Sequence, residues 1–251
     1  MSSLPETPQV PHSPLRAYYS REEDRREWVR NLFDRTAGDY ERMERLMALG
    51  SGSWYRRRAL QRAGLQAGMS VVDVGVGTGL VAREAAGIVG DSKLVLGVDP
   101  SSGMIANANV PMGLRLATGA AESIPAPESS ADFISMGYAL RHVSDLSTAF
   151  QEFHRVLKPG GRLCLLEITS PRNGLSRALL KAYMRGIVPI LARLVARHQS
   201  VPELMRYYWD TIEACVPPKS ILDGLTATGF VDVVRYVEHG VFSEYRARKP
   251  L

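Results

Sequence analysis

Apolar runs and helical patterns alternate along the middle of the chain. Short apolar runs, each of a length that suits one β-strand, lie at 71–74, 93–99, 114–117, 132–137 and 162–169. Between them, segments with apolar positions at helical spacing lie at 79–89, 101–108 and 145–157. This alternation is typical of parallel strands joined by helical crossovers, so the pattern predicts an α/β domain with a mainly parallel sheet.

The flanking segments have different patterns. Residues 21–63 are polar and arginine-rich with apolar positions at helical spacing, which predicts two or three helices. Residues 172–217 form a long helical stretch that interrupts the alternation and so predicts a cap outside the sheet. Two extended runs, 230–239 and 240–249, meet at Gly240 and predict an antiparallel hairpin that closes the sheet.

These patterns divide the chain into five segments. The start of the chain is rich in Pro and Ser, which predicts a disordered tail. The predicted segments are this tail at 1–14, N-terminal helices at 15–66, an α/β core with a ligand-binding turn at 67–171, a helical cap inserted at 172–217, and a final helix with the closing hairpin at 218–251.

Composition narrows the class of protein. A chain of 251 residues, 45% of them hydrophobic, can bury one large core. No apolar stretch approaches the roughly 20 residues of a membrane span, and the start lacks the features of a signal peptide. The two cysteines, Cys164 and Cys215, lie far apart, so we expect no disulfide, no zinc site and a reducing cytoplasm. The net charge of +5 fits an acidic partner, a membrane surface or a merely solvated exterior.

A glycine-rich turn, DVGVGTG, begins at Asp73 directly after the first apolar run. It lacks the lysine of a phosphate-binding P-loop, and Leu80 stands where a dinucleotide fingerprint has its third glycine. Asp73 would repel a pyrophosphate but suits a ligand with a cationic group, and Asp99 ends the second strand, where an acid pairs with ribose hydroxyls. S-adenosylmethionine (SAM) fits both acids, because it has a ribose, a cationic amino-acid part and no phosphate. The alternative is that both acids only cap helices.

Further motifs carry a resemblance to a known family. With DVGVGTG, the segments at 97–105, 119–125, 135–146 and 155–163 resemble, in order, the motifs of class I SAM-dependent methyltransferases. The chain is most similar to the C-methyltransferases of ubiquinone and menaquinone biosynthesis, from FDRTAGDYERMERLMALG in the N-terminal helices through RYYWDTI in the cap. The resemblance implies SAM as the cofactor and a Rossmann-like fold, in which a seven-stranded, mainly parallel sheet has an antiparallel last strand.

The resemblance also assigns residues to the cofactor. The turn glycines would let the backbone approach the methionine part, Asp99 would hold the ribose hydroxyls, Met104 would pack on the adenine, and Tyr40 would close over the cofactor. Ordinary packing is the alternative for Met104 and Tyr40. The family usually has Asp where this chain has Ala120, so the backbone of Ala121 would serve the adenine instead. The predicted cofactor-binding residues are Tyr40, Asp73, Gly75, Gly77, Gly79, Asp99, Pro100, Met104, Ala120, Ala121, Glu122 and Gly137.

Methylation of a quinol ring carbon requires loss of a hydroxyl proton, so that negative charge reaches that carbon. Arg141 and His142 follow the fourth strand and are the predicted catalytic residues. Arginine stays protonated, so Arg141 would position a water or stabilise the phenolate. His142, where the family commonly has Asn, would be the base with a pKa near the working pH; the alternative is a histidine that only hydrogen-bonds the backbone. The predicted substrate-binding residues are Tyr138, Glu167, Tyr183, Arg206 and Tyr207, and Tyr208 is expected to line the same pocket as the last two.

The predicted cap carries a periodic basic pattern. A basic residue recurs every fourth position from Arg177 to Arg185, and again at Arg193 and Arg197. Pro189 lies between the two groups and should kink or split the helix. A basic amphipathic stretch suits an anionic membrane or the cover of an apolar pocket, whereas the alternative is a lid with a solvated basic face. Peripheral membrane contact through the cap and a homodimer are both compatible with the sequence.

Three functions remain in competition. The leading hypothesis is a SAM-dependent methyltransferase that acts on a ring carbon of a quinol or a related aromatic small molecule. The second is methyl transfer to oxygen or nitrogen of a small metabolite, and the third is SAM binding with non-methylating chemistry. A nucleic-acid partner is not expected. The chain has no Asp/Asn-Pro-Pro-aromatic sequence, no Pro-Cys site and no interleaving of aromatic and basic residues.

Overall fold

The computed structural model describes residues 9–48, 50–171, 173–195 and 200–251. Seven strands form one sheet in the order β3-β2-β1-β4-β5-β7-β6. Their bounds are β1 Val71–Val74, β2 Val95–Asp99, β3 Arg115–Thr118, β4 Ala131–Gly137, β5 Leu157–Ile168, β6 Val231–Glu238 and β7 Phe242–Arg248. Strands β1 to β5 pair in parallel, and β7 runs antiparallel between β5 and β6. The predicted mainly parallel sheet with an antiparallel last strand is confirmed.

Helices cover both faces of this sheet. Their bounds are α1 Glu22–Met47, α2 Gly52–Arg62, α3 Leu80–Val89, α4 Ser102–Ala106, α5 Leu146–Val156, α6 Gly174–Ala182, α7 Val188–Val195, α8 Val201–Ala214 and α9 Pro218–Ala227. Two crossover helices begin at side chains that satisfy free main-chain donors. The Ser101 hydroxyl accepts a hydrogen bond from Met104 N at the start of α4, and the Asp145 carboxylate accepts one from Ser147 N at the start of α5.

The central strands are buried on both faces, which explains why they appear as continuous apolar runs. Val72 and Val98 belong to an apolar cluster with Phe150 of α5. Val71 belongs to a second cluster, which includes Leu60 of α2 and residues of α3. Because alternate residues of a strand point to opposite faces, β1 separates the two clusters. This two-sided burial fixes the register of β1 against β2 and β4, so their carboxyl ends lie side by side.

The cap consists of α6, a π-helical turn at 183–187, α7 and α8. It packs on α1 through a third apolar cluster, in which Leu32 and Met43 of α1 meet Met184 of the turn and Trp209 of α8. Helix α1 and the cap therefore form one layer that is separate from the two clusters of the sheet.

The predicted break at Pro189 takes the form of the π-helical turn. Proline has no N–H, so the carbonyl of Arg185, four residues earlier, loses its usual helical donor and is crowded by the ring. A wider turn directly before Pro189 accommodates both effects, and the helical path continues into α7.

Three basic residues of α6 and the π-helical turn are directed towards acids of α8. The ion pairs are Arg177–Glu213, Lys181–Glu213 and Arg185–Asp210, at 3.2, 3.0 and 3.6 Å. Apolar side chains extend into solvent instead; these are Leu175, Leu179, Ile187 and Ile190. Arg197, which continued the predicted basic pattern, lies outside the described residues. Within the described part of the chain, no helix has both the length and the apolar character needed to cross a membrane.

The structure differs from the predicted disordered tail at 1–14. From Gln9 onwards the segment is ordered against the rest of the protein, and the residues before it lie outside the described part. Gln9 N donates to the Asp145 carboxylate at 2.9 Å. His12 is buried and forms an antiparallel bridge with Cys215. A composition typical of disorder is overridden here by hydrogen bonds to residues that are distant in sequence.

Candidate functional site

A cavity of about 980 Å³, part of which is open to solvent, lies at the carboxyl ends of β1, β2 and β4, beneath α1 and α8. In open α/β sheets this edge is where ligands bind. The predicted site residues that line the cavity are Tyr40, Gly75, Gly77, Asp99, Pro100, Met104, Ala120, Ala121, Glu122, Gly137, Tyr138 and His142. The predicted site residues that do not line it are Asp73, Gly79, Arg141, Glu167, Tyr183, Arg206 and Tyr207.

The glycine turn gives a ligand direct access to the main chain. Gly77 has a φ of +55°, and a Cβ atom there would meet no other atom within 4 Å. At Gly75, with a φ of +68°, a Cβ atom would lie 2.6 Å from the Cβ of Ala139. Both positions favour glycine because their backbone is left-handed. At Gly75 the contact with Ala139 also leaves no room for a side chain. Open space at Gly77 leaves room for a ligand against the backbone.

Asp99 ends β2 with its carboxylate held by two main-chain donors. Gly77 N donates to Oδ2 and Ser101 N donates to Oδ1, both at 2.8 Å. Each oxygen keeps a lone pair that can accept a further hydrogen bond from a ligand. Burial raises the pKa of Asp99 to about 6, so the carboxylate is ionised at neutral pH. The structure thus orients two acceptor oxygens at the cavity surface.

Asp73, in β1, lies behind the cavity surface. The Ser135 hydroxyl donates to its Oδ1 at 2.7 Å. Its Oδ2 is buried and has no hydrogen-bond partner among the described residues. Burial raises the pKa of Asp73 to about 7. A cationic ligand group nearby would compensate this buried acid and favour its ionised form.

Another part of the cavity wall comes from α4 and the turn after β3. Met104 is buried at the cavity surface. The start of α4 is tied to α1, because Asp34 Oδ1 accepts a hydrogen bond from the Ser101 hydroxyl at 2.6 Å. Glu122 lines the same wall, and its Oε1 accepts from Ser144 N at 2.6 Å. The Glu122 carboxylate therefore fixes the loop before α5 as well as facing the cavity.

Arg141 and Glu167 form a buried ion pair and do not face the cavity. Their side chains are 1% and 2% exposed. Arg141 Nε also donates to the Thr211 hydroxyl of α8 at 3.3 Å. The predicted catalytic role of Arg141 and the predicted substrate-binding role of Glu167 do not agree with this arrangement, because each charge is directed at the other. The pair instead joins the turn after β4 to β5 and α8.

His142 lines the cavity, and aromatic rings surround its imidazole. The ring stacks on Tyr207 with centroids 5.4 Å apart and meets Phe33 edge-on at 5.2 Å. Nδ1 lies 3.3 Å from the Tyr207 hydroxyl oxygen, whereas the buried Nε2 has no hydrogen-bond partner among the described residues. Burial and the nearby charge of Arg141 keep the pKa of His142 well below its usual value, not near the working pH as predicted. The imidazole is therefore neutral at pH 7.

The remaining predicted substrate residues occupy different places. Tyr138 lines the cavity with a φ of +60°, a conformation that is rare for a residue other than glycine. Tyr183 lies in the π-helical turn, where its hydroxyl contacts the end of α1. Tyr207 is fully buried behind His142, and Arg206 is exposed. The structure thus brings Tyr138 to the cavity and the other three to the cap and its contacts.

Further residues line the cavity besides the predicted set. The expectation that Tyr208 lines the pocket agrees with the structure, whereas Phe33, Arg26 and Arg30 were not predicted. Phe33 of α1 and Tyr208 of α8 contribute aromatic surface, and Tyr208 donates its hydroxyl hydrogen to the Tyr40 hydroxyl at 2.9 Å. Arg26 and Arg30 of α1 line the cavity and are exposed. Phe33 and Tyr208 both lie in segments that carry the family resemblance. Helical periodicity alone does not say which face of α1 covers a cavity, so periodicity could not identify Phe33 as a cavity residue.

Comparisons with known proteins agree with this architecture. The family model of the ubiE/COQ5 methyltransferase family matches residues 20–248. The chain is 30% identical over 211 residues to the ubiquinone/menaquinone biosynthesis C-methyltransferase UbiE of Coxiella burnetii, with 81% of this chain and 83% of that protein covered. It is 33% identical over 217 residues to UbiE of Syntrophotalea carbinolica, with 84% and 87% covered.

The fold is also similar to that of a solved SAM-dependent methyltransferase from Thermotoga maritima. The TM-score is 0.61 at 22% sequence identity, with 87% of this chain and 98% of that chain covered. At this identity the likeness supports the fold alone. The family match extends from the start of α1 to the last strand and includes the glycine turn, Asp99 and His142. The chain therefore belongs to the ubiE/COQ5 methyltransferase family and is a SAM-dependent methyltransferase.

Proposed function

We propose that the chain transfers a methyl group from SAM to a ring carbon of a quinol or a related phenolic compound. Relatives at 30% and 33% identity are named ubiquinone/menaquinone biosynthesis C-methyltransferases. The observation that carries the proposal is the composition of one cavity. It joins the polar surface of Gly77 and Asp99 to an aromatic surface of Phe33, Tyr40 and Tyr208. Such a cavity suits a ribose-containing cofactor beside a flat aromatic acceptor.

The residues present fit SAM. Asp99 has free lone pairs for the ribose hydroxyls, and the open space at Gly77 accepts a ligand against the main chain. Asp73 lies behind the cavity surface, and its buried carboxylate would favour the cationic methionine part by electrostatic attraction. Met104 offers a polarizable buried surface for the adenine. When bound, SAM supplies a methyl group on a sulfonium, whose sulfur keeps the electron pair of the broken carbon–sulfur bond.

His142 is the proposed base for the acceptor hydroxyl. Its Nε2 has a free lone pair when Nδ1 carries the hydrogen and donates it to the Tyr207 hydroxyl, 3.3 Å away. Loss of the hydroxyl proton to Nε2 moves negative charge onto the conjugated ring carbons, one of which bonds to the methyl group. That carbon then loses its own proton to solvent, and Nε2 returns the first proton to the ring oxygen, so one proton is released for each methyl transferred. Attraction between the imidazolium and the phenolate in a buried site offsets the low basicity of His142.

A second candidate is methyl transfer to an oxygen of a small anionic phenolic metabolite. It is favoured by Arg26 and Arg30, which line the cavity and are exposed. Arg26 donates to the Ser144 hydroxyl only through Nε, so both arginines have donors that can meet a carboxylate or phosphate on the acceptor. A quinol with a hydrocarbon tail has no carboxylate or phosphate that could pair with these arginines. Both candidates use the same cofactor residues and differ in the atom that is methylated.

We further propose that the cap makes peripheral contact with a membrane. Leu175 and Leu179 of α6 are 71% and 63% exposed, and Ile187 and Ile190 are also mainly exposed. Apolar side chains at helical spacing beside arginines suit the boundary between lipid headgroups and acyl chains. A membrane contact at the cap would bring the enzyme to acceptors that carry hydrocarbon tails. The homodimer stays a prediction.

The site of methylation tests the proposed function directly. Anaerobic incubation with methyl-labelled SAM and a panel of reduced demethylquinols, catechols and phenolic acids should place the label on a ring carbon, as located by mass spectrometry. Label on an oxygen of a phenolic acid would support the second candidate. If SAM binds in calorimetry but no member of the panel is labelled, aromatic methyl transfer is contradicted.

The affinity for SAM should depend on pH through the two acids. Since burial raises the pKa of Asp99 to about 6 and that of Asp73 to about 7, affinity should be constant at high pH and fall as pH drops through these values. A protonated carboxyl accepts hydrogen bonds poorly and loses its charge. Asp99→Asn should weaken SAM binding by tenfold or more, since a hydrogen bond to a charged group contributes about 1.5–3 kcal/mol. The pH dependence that remains in this variant should be the part due to Asp73.

Isothermal titration calorimetry with SAM across this pH range measures the effect. The matched control is Asp91→Asn, which changes an exposed aspartate that only caps a short helical turn, and it should bind like the wild type. Equal affinities for wild type and Asp99→Asn would contradict the assignment of Asp99 to the ribose.

Replacement of His142 separates chemistry from cofactor binding. His142→Gln keeps the approximate size of the side chain but removes the base, so kcat should fall by about a hundredfold, the usual lower range for general-base catalysis. The dissociation constant for SAM should stay within about twofold, because His142 is not among the proposed cofactor contacts. His154→Gln, a histidine that packs on Phe230 away from the cavity, is the control and should keep its activity. A parallel loss of SAM affinity in His142→Gln would indicate a structural role.

Sedimentation with anionic lipid vesicles tests the membrane contact. The double variant Leu175→Ser with Leu179→Ser removes two exposed apolar side chains, so its bound fraction should fall at least about fivefold. Leu251→Ser changes a leucine that is even more exposed but lies away from α6, and it should bind like the wild type. Unchanged binding of the double variant would refute the contact through α6.

A further inference from the structure

We propose that Tyr208 is a positioning residue that selects acceptors with a ring oxygen, and that it acts through the hydroxyl of Tyr40. The inference rests on the proposed function, because it concerns the acceptor side of the same cavity. Tyr208 projects from α8, lines the cavity and is 7% exposed. Tyr40 reaches the same wall from α1. The two hydroxyl groups therefore connect the cap to the N-terminal helix at the cavity surface.

The hydrogen bond between the two tyrosines leaves one donor for a ligand. A tyrosine hydroxyl has a single hydrogen. Tyr208 uses its hydrogen in the bond to the Tyr40 oxygen, at 2.9 Å. Among the described residues, no group accepts the hydrogen of Tyr40. A ligand oxygen in the cavity can accept it, whereas a ligand surface without a lone pair would leave a buried donor unsatisfied, which is costly.

Arg141 lies behind Tyr208 and helps to hold it in position. The guanidinium carbon of Arg141 lies 5.8 Å from the centre of the Tyr208 ring. The same Arg141 donates to the Thr211 hydroxyl, which in turn donates to the main-chain oxygen of Tyr208 at 2.9 Å. These bonds hold the backbone of Tyr208 in place. Donation from the Tyr208 hydroxyl polarises the Tyr40 hydroxyl, because each donor in a chain of hydrogen bonds polarises the next. The hydrogen of Tyr40 is therefore a stronger donor than that of an isolated tyrosine.

The donor and the proposed base share one wall. The ring centroids of His142 and Tyr208 are 6.0 Å apart. Phe33 contacts both rings and Tyr40, with centroid distances between 5.2 and 6.4 Å. An acceptor oxygen that meets the Tyr40 hydrogen is thus next to His142. As the oxygen loses its proton and becomes negative, its hydrogen bond from Tyr40 strengthens, so the tyrosine pair favours the ionised form of the acceptor.

A coloured phenol tests the inference without methyl transfer. The full-length protein is saturated with S-adenosylhomocysteine and titrated with 4-nitrophenol, whose phenolate absorbs visible light. In the wild type, bound nitrophenol should ionise at a lower pH than free nitrophenol. In Tyr208→Phe its pKa should rise by about one unit and its affinity at neutral pH should fall about tenfold, since the donor chain is shortened. Tyr40→Phe, which removes the donor itself, should abolish the shift.

The matched control is Tyr183→Phe. This variant also removes a tyrosine hydroxyl from the cap, but that hydroxyl meets the Met47 carbonyl outside the cavity, so nitrophenol should ionise as in the wild type. Unshifted ionisation in the wild type, or the same shift in wild type and Tyr208→Phe, would overturn the inference. If Tyr208→Phe does not fold, the same comparison is made with Tyr40→Phe alone.

Methyl transfer then separates this inference from the proposed function. With a hydroxylated acceptor, Tyr208→Phe should lower kcat/KM about tenfold and leave the SAM dissociation constant unchanged. If the wild type methylates no phenolic compound but nitrophenol ionisation still depends on Tyr208, the proposed function fails and the recognition of a ring oxygen stands. If methylation proceeds equally in wild type and Tyr208→Phe, the inference fails and the proposed function stands.

Discussion

The buried ion pair between Arg141 and Glu167 holds together the elements that surround the cavity. Arg141 belongs to the turn after β4, Glu167 lies near the end of β5, and Thr211 of α8 accepts a hydrogen bond from Arg141. The carbonyl of Arg141 also accepts from Arg25 of α1 at 3.4 Å. Removal of one partner from a buried pair costs about 3–5 kcal/mol, because the other charge is left without compensation. This constraint fixes the position of the next residue, His142.

The same pair sets the polarity of the site. Asp73 and Asp99 lie at one end of the cavity region, where buried carboxylates favour a cationic ligand, while the Arg141 guanidinium lies behind the aromatic end, where a cation favours a negative acceptor. In the proposed reaction a positive donor and a negative acceptor give two neutral products. The acids stabilise the positive donor before the reaction, and Glu167 compensates the charge of Arg141 so that the guanidinium does not repel the cofactor.

Local features of the fold could be predicted from the sequence, because each depends on neighbours in the chain. Strand positions follow from apolar runs, and the position of the glycine turn and Asp99 at the cavity follows from their place at the ends of strands. Contacts between distant residues could not be predicted. Arg141 and Glu167 are both reasonable site residues by type, but nothing local reveals that they neutralise each other. The low pKa of His142 has the same origin, since it depends on burial by α1 and α8 and on the charge of its neighbour.

The N-terminal segment has a consequence for how the protein folds. Gln9 is bonded to Asp145, and Tyr18 to Asp210, over separations of 136 and 192 residues. During synthesis this segment leaves the ribosome first, and its partners leave it much later. Contacts of such separation form slowly, because a long loop must close before they contribute. The wall that α1 and α8 form over the cavity can therefore close only after residue 210 has been synthesised, although α1 and the first four strands are complete long before.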